Sequence, residues 1–124
     1  MTREILSDGE NLFFIDYAKR KLRINQNDYL NLMRSEERRV IRPILEECLQ
    51  KPTEVWWMVE ELEGETYSYY KYIKLYSNLV FIAYVIIDER LNFSLNNFFA
   101  YNEDEFHLAD NERRGQLILS NLKK

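Results

Sequence analysis

Thr66-Tyr67-Ser68-Tyr69-Tyr70-Lys71-Tyr72-Ile73-Lys74-Leu75-Tyr76, followed after Ser77-Asn78 by Leu79-Val80-Phe81-Ile82-Ala83-Tyr84-Val85-Ile86-Ile87, is the stretch on which the fold turns. Residues 66–76 are aromatic and β-branched, the chemistry of a pleated, half-buried surface. Tyr67, Tyr69, Lys71, Ile73 and Leu75 fall on one face of such a strand, and Tyr70, Tyr72 and Lys74 on the other. Residues 79–87 are apolar on both faces, which predicts a central strand. Asp88-Glu89-Arg90 reads as a turn. Residues 91–101 then alternate Phe93, Leu95, Asn97, Phe99 and Tyr101 against Asn92, Ser94, Asn96, Phe98 and Ala100, a third strand. Connections this short make the three antiparallel neighbours.

Upstream, the apolar period is helical. Val40, Ile41, Ile44, Leu45, Cys48 and Leu49 form one stripe. Ser35-Glu36-Glu37 supplies its start, a side-chain acceptor followed by acids where the helix dipole favours them. Pro43 lies inside the stripe, so the helix either kinks there or restarts with Pro43 in its first turn. Pro52 ends it. Asn27 or Asp28 can cap an earlier helix through Tyr29, Leu30, Leu32 and Met33. Residues 12–17 suit either a strand or a helix start. Residues 54–60 alternate weakly, and 61–65 suit a turn. Downstream, residues 102–112 read as a loop or short helix, and 116–119 as a short strand or a helical turn. The expected fold class is α+β: N-terminal helical segments packed on a four-stranded antiparallel sheet. One domain spans 1–124, with 1–35 as an N-terminal extension and 36–120 as helix plus sheet.

A chain of 124 residues with 46% hydrophobic content can bury a core and is not disordered. Cys48 is the one cysteine, so no internal disulfide forms, and its place on the apolar stripe predicts a buried thiol. With His107 the sole histidine, no Cys/His grouping has zinc-ligand spacing. The longest apolar run is too short for a membrane helix. Met1-Thr2-Arg3-Glu4 opens no signal peptide, and together these predict a cytoplasmic protein without a membrane partner. The net charge of −4 speaks against a general nucleic-acid binder. The charge is uneven, however. Basic residues gather in Lys19-Arg20-Lys21-Leu22-Arg23 and at Arg34, Arg38, Arg39 and Arg42, whereas residues 43–65 hold seven acids and one base. The basic third is either a nucleic-acid patch or a solvated surface.

A helix, then Lys51-Pro52-Thr53-Glu54-Val55-Trp56, then Tyr69-Tyr70-Lys71-Tyr72-Ile73-Lys74, an apolar strand and a closing Arg113-Arg114-Gly115-Gln116-Leu117-Ile118 make up a pattern. Over residues 36–120 it resembles the phage-associated branch of the barnase–EndoU–colicin–RelE-like nuclease superfamily. In that branch a Pro-x-Glu-Val-Trp entry and an Arg-Lys-Gly-x-Leu-Ile exit frame the sheet. The resemblance implies a small ribonuclease or toxin-like effector that cuts RNA by attack of its own 2′-hydroxyl, with no metal or cofactor. Such a reaction needs a base near the 2′-oxygen, an acid near the 5′-oxygen and donors on the phosphorane oxygens. On this implied chemistry Arg113 holds the phosphorane through its fork, Lys71 contacts phosphate, and His107 is the base or acid. Tyr69, Tyr101 and Arg114 bind substrate, the tyrosines by stacking on bases or donating to phosphate.

Each of these residues also has a plainer reading. His107 suits a solvated loop, Arg113 and Arg114 suit ion pairs with Asp110 and Glu112, and the tyrosines suit cross-strand packing. A rival of another class is a non-enzymatic binding module of immunity, anti-defence or phage-accessory type. Its acidic stretch 46–65 and many aromatics would meet a basic protein. RNA, a cognate inhibitor or other protein, and a second copy of the chain are the expected partners.

Overall fold

Among the described residues three strands come before any helix. The computed structural model describes residues 6, 7 and 9–121, and the Met1-Thr2-Arg3-Glu4 stretch lies outside them. Strands β1 (Leu6–Ser7), β2 (Asn11–Ile15) and β3 (Lys21–Asn25) lead into helices α1 (Gln26–Leu32), α2 (Glu36–Ile41) and α3 (Leu45–Gln50). Then follow β4 (Glu54–Leu62), β5 (Glu65–Leu75), β6 (Leu79–Ile87), β7 (Phe93–Asn102), the short helix α4 (Phe106–Asp110) and β8 (Gln116–Ser120). All eight strands join one sheet in the order β1-β2-β3-β7-β6-β5-β4-β8.

This corrects the expected four-stranded antiparallel sheet behind N-terminal helices. The sheet is mixed, because β3 runs parallel to β7 through Leu22↔Phe93 and Arg23↔Ser94. The physical reason lies in Lys21-Leu22-Arg23-Ile24-Asn25. Its charged residues point outward while Leu22 and Ile24 are buried, so a strand with a solvated face reads as a basic cluster. The antiparallel run β5–β6–β7 and its short turns do form as the alternation predicts.

Ser35 begins α2, its Oγ accepting the Arg38 N–H at 3.3 Å. The stripe then restarts at Pro43 through a 3-10 turn, Arg42–Ile44, before α3. Asn25, rather than Asn27 or Asp28, caps α1, accepting the Asn27 N–H at 2.8 Å. The hydrophobic core fills one face of the sheet. Leu45, Cys48 and Leu49 of α3 pack there against Val55, Tyr72, Phe81, Ala83, Val85 and Phe98. Each fully buried Leu or Phe of this kind contributes about 1.5–3 kcal/mol. Buried Asp16, in the β2–β3 turn, accepts the Tyr72 hydroxyl at 2.6 Å and Arg20 Nε at 2.8 Å, tying the N-terminal hairpin to β5. On the opposite face a smaller cluster of Ile73, Val80, Ile82 and Ala109 seats α4 over one half of the sheet. The other half stays open.

Candidate active site

The two sequence motifs that frame the sheet meet in space. Pro52 stops α3, and Thr53 Oγ1 accepts the Leu75 N–H at 3.0 Å, which sets the first residue of β4 against β5. Glu54 follows, its carboxylate 1% exposed. Its two oxygens accept Arg113 Nε at 2.7 Å and Nη2 at 2.6 Å, and Trp56 Nε1 donates to it at 3.1 Å. Arg113 therefore clamps the segment after α4 onto the start of β4, a bidentate contact that only a guanidinium makes. Its pKa is raised, chiefly by that hydrogen bond to Glu54. Two residues on, Gly115 has φ +99° and passes so close to Trp57 that a β-carbon would lie 2.3 Å from its carbonyl oxygen. Glycine is required there on both counts.

This clamp sets the lip of an open cleft of about 730 Å³ on the uncovered half of the sheet. Met58 and Glu60 of β4, Tyr67, Tyr69 and Lys71 of β5, and Tyr84 and Ile86 of β6 form its floor. The register of β6 against β7 slips between Tyr84 and Val85, leaving Asn96 in a bulge that lines the cleft. Asn111, Glu112 and Arg114 make the lip. Glu112 is fixed by two hydroxyls, Tyr84 at 2.5 Å on Oε1 and Tyr101 at 2.7 Å on Oε2. Lys71 Nζ lies 3.8 Å from the same Oε1.

The electrostatics of the floor follow from burial. Lys71 is 3% exposed. Loss of hydration lowers its pKa below the ordinary lysine range, a change that Glu112 opposes. Burial and the Glu60 carboxylate, which accepts the Tyr69 hydroxyl at 2.8 Å, push the Tyr69 pKa up to about 12. Burial and the Glu112 carboxylate also raise Tyr84 and Tyr101. These three phenols are protonated donors at neutral pH. Among the described residues no three His, Cys, Asp or Glu side chains are grouped to hold a metal ion.

Of the residues singled out in the sequence, Tyr69, Lys71 and Arg114 line the cleft together. Tyr101 reaches it only through Glu112, and Arg113 stands behind it as the clamp. His107 is exposed on α4 and is not part of the lining. Glu60, Tyr84, Asn96 and Glu112 are cleft residues that the sequence does not single out. Tyr84 carries a trace of a signal as the one polar-tipped side chain in an otherwise apolar strand. Glu112 and Asn96 carry none, since a loop path and a bulge place them. The basic third is largely engaged elsewhere. Arg20 stacks 4.7 Å over the Tyr70 ring, Arg38 Nε donates to the Phe98 carbonyl at 3.1 Å, Arg39 donates to the Met33 carbonyl at 2.7 Å, and Arg42 pairs with Glu46 at 2.6 Å.

Among the described residues no helix is long and apolar enough to cross a membrane. Comparison with known proteins finds no curated protein and no solved structure that matches the chain. A family model does match, over residues 3–120, and so takes in the N-terminal strands as well as the two motifs joined by Glu54 and Arg113. The chain belongs to the phage-Barnase-EndoU-ColicinE5/D-RelE like nuclease2 family.

Proposed function

We propose that the protein is a metal-independent endoribonuclease whose reaction takes place over Lys71. The observation that carries this reading is the company Lys71 keeps. A buried ammonium faces an open cleft alongside the Arg114 guanidinium and a phenol donor, on a chain that is otherwise acidic. Glu112, 3.8 Å from Lys71 Nζ, meets part of this positive charge, and a phosphodiester supplies more negative charge to the two cations.

Glu60 takes the 2′-hydroxyl proton, and the 2′-oxygen attacks phosphorus. One of its oxygens is held by Tyr69 and the other has no hydrogen-bond partner among the described residues. Arg114 meets the charge growing on the phosphorane oxygens. The bond to the 5′-oxygen breaks as Lys71 gives that oxygen a proton, for which a lowered pKa suits it. The products are a 2′,3′-cyclic phosphate and a 5′-hydroxyl; Glu60 then releases its proton to solvent and neutral Lys71 takes one up from it. Arg113 has a positioning role here, holding the segment that carries Arg114.

Incubation of the protein with transfer RNA and total RNA in EDTA tests the proposal. The expected outcome is fragments ending in 2′,3′-cyclic phosphate. Intact RNA across these substrates, or fragments with 5′-phosphates, contradicts it. One feature favours the rival binding module: Glu60, Glu63 and Glu112 outnumber the two cations in the cleft lining. The same assay decides between the two, because a module leaves all RNA intact.

A further inference from the structure

The β4 strand is covered unequally along its two edges. Against β5 its register is unbroken from Glu54↔Ile73 to Leu62↔Glu65. On the other side β8 reaches only from Glu54 to Trp57. Residues 58–62 therefore have a strand on one side only. Natural edge strands are blunted by charge, lysine above all, by proline or by a bulge; residues 58–62 contain no lysine, proline or bulge, and their only charges are Glu60 and Glu61, which leave the edge open to a basic strand. Val59 is 48% exposed and Leu62 55%. The hairpin tip beyond them, with Glu63 and Gly64 both at positive φ, is acidic. Glu60, Glu61, Glu63 and Glu65 crowd into it, and no Lys or Arg lies between Lys51 and Lys71 in sequence.

We propose that residues 58–62 of β4 form a docking edge for an extended segment of a partner protein, one with basic side chains alternating with apolar ones. Backbone pairing supplies the attachment, and the alternation sets apolar groups beside Met58 and Leu62 on the cleft face and basic groups beside Glu61 on the other. An RNA strand is repelled by this edge. A second copy of the chain paired antiparallel would set glutamates against glutamates, which disfavours it. Met58, Glu60 and Leu62 line the cleft. A strand added beside them projects alternate side chains onto that same face, so the partner also obstructs the cleft. This last consequence rests on the nuclease reading above; the docking edge does not.

The probe is a blocked octapeptide of alternating lysine and valine, titrated into the full chain while backbone amide resonances are followed. Shifts concentrated at residues 58–62 are expected. Val59→Lys, which puts an edge lysine against a basic strand, is expected to weaken binding at least about tenfold. An octapeptide N-methylated at alternate residues is expected not to bind. The inference is overturned if residues 58–62 do not shift, if a glutamate–valine octapeptide binds equally well, or if light scattering shows the free protein dimerised in a way that Val59→Lys abolishes. Shifts at 58–62 in a protein that cleaves no RNA support the docking edge and overturn only the nuclease reading.

Discussion

A β-carbon on Gly115 would lie 2.3 Å from the Trp57 oxygen and 2.5 Å from Met58 Cγ, with the backbone already at φ +99°. The Met58 side chain can swing into the open cleft, but the Trp57 carbonyl cannot withdraw, since it belongs to the β4 ladder. Gly115→Ala is expected to destabilise the fold by at least about 2 kcal/mol, read as a lowered midpoint in urea. An unchanged midpoint would mean that the β4–β8 approach is looser than described. Site residues differ in how legible they are in the sequence. Tyr69 and Lys71 fall on one strand face by simple alternation, and both do line the cleft. Glu112 and Arg114 depend on where a loop runs, which no periodicity encodes. Arg113 is the instructive case. An arginine beside a glycine suits phosphate binding, but a buried carboxylate 59 residues earlier in the chain occupies its fork.

At the scale of elements, the start of β4 and the segment leading into β8 are joined by that Glu54–Arg113 pair. Arg113→Ala leaves the Glu54 carboxylate buried with only the Trp56 indole N–H as a donor. A loss of about 2–3 kcal/mol is expected, at the low end for a broken buried pair because the Arg113 side chain is 36% exposed. Adding Glu54→Gln removes the stranded charge and should restore part of the loss. A double variant less stable than the sum of the two singles would contradict this account. Strands β5, β6 and β7 are legible because long alternation and short turns leave no other pairing. Strands β2 and β3 are not, for opposite reasons. Leu12-Phe13-Phe14-Ile15 is too short and too apolar to separate strand from helix. Lys21-Leu22-Arg23-Ile24-Asn25 hides a strand period under charge, and the parallel pairing of β3 with β7 spans some 70 residues of chain.

Across the whole molecule, one face of the sheet carries the main core and α1–α3, while α4 covers only half of the other. The uncovered half is the cleft. Four of the arginines that give the N-terminal third its basic character are engaged in holding the structure: Arg20 on Asp16, Arg38 on β7, Arg39 on the Met33 carbonyl and Arg42 on Glu46. Within the cleft, the cations open to a polyanion are Lys71 on the floor and Arg114 on the lip. The reading of this chain as a nuclease thus depends on one small region of the surface. It is tested most directly by single-turnover cleavage of one RNA by the wild type and by Lys71→Met, Arg114→Ala and His107→Ala, each verified as folded. Losses of at least about a hundredfold in the first two variants, with His107→Ala close to wild type, are predicted. Cleavage that survives Lys71→Met but fails in His107→Ala would place the chemistry on α4 and contradict the account.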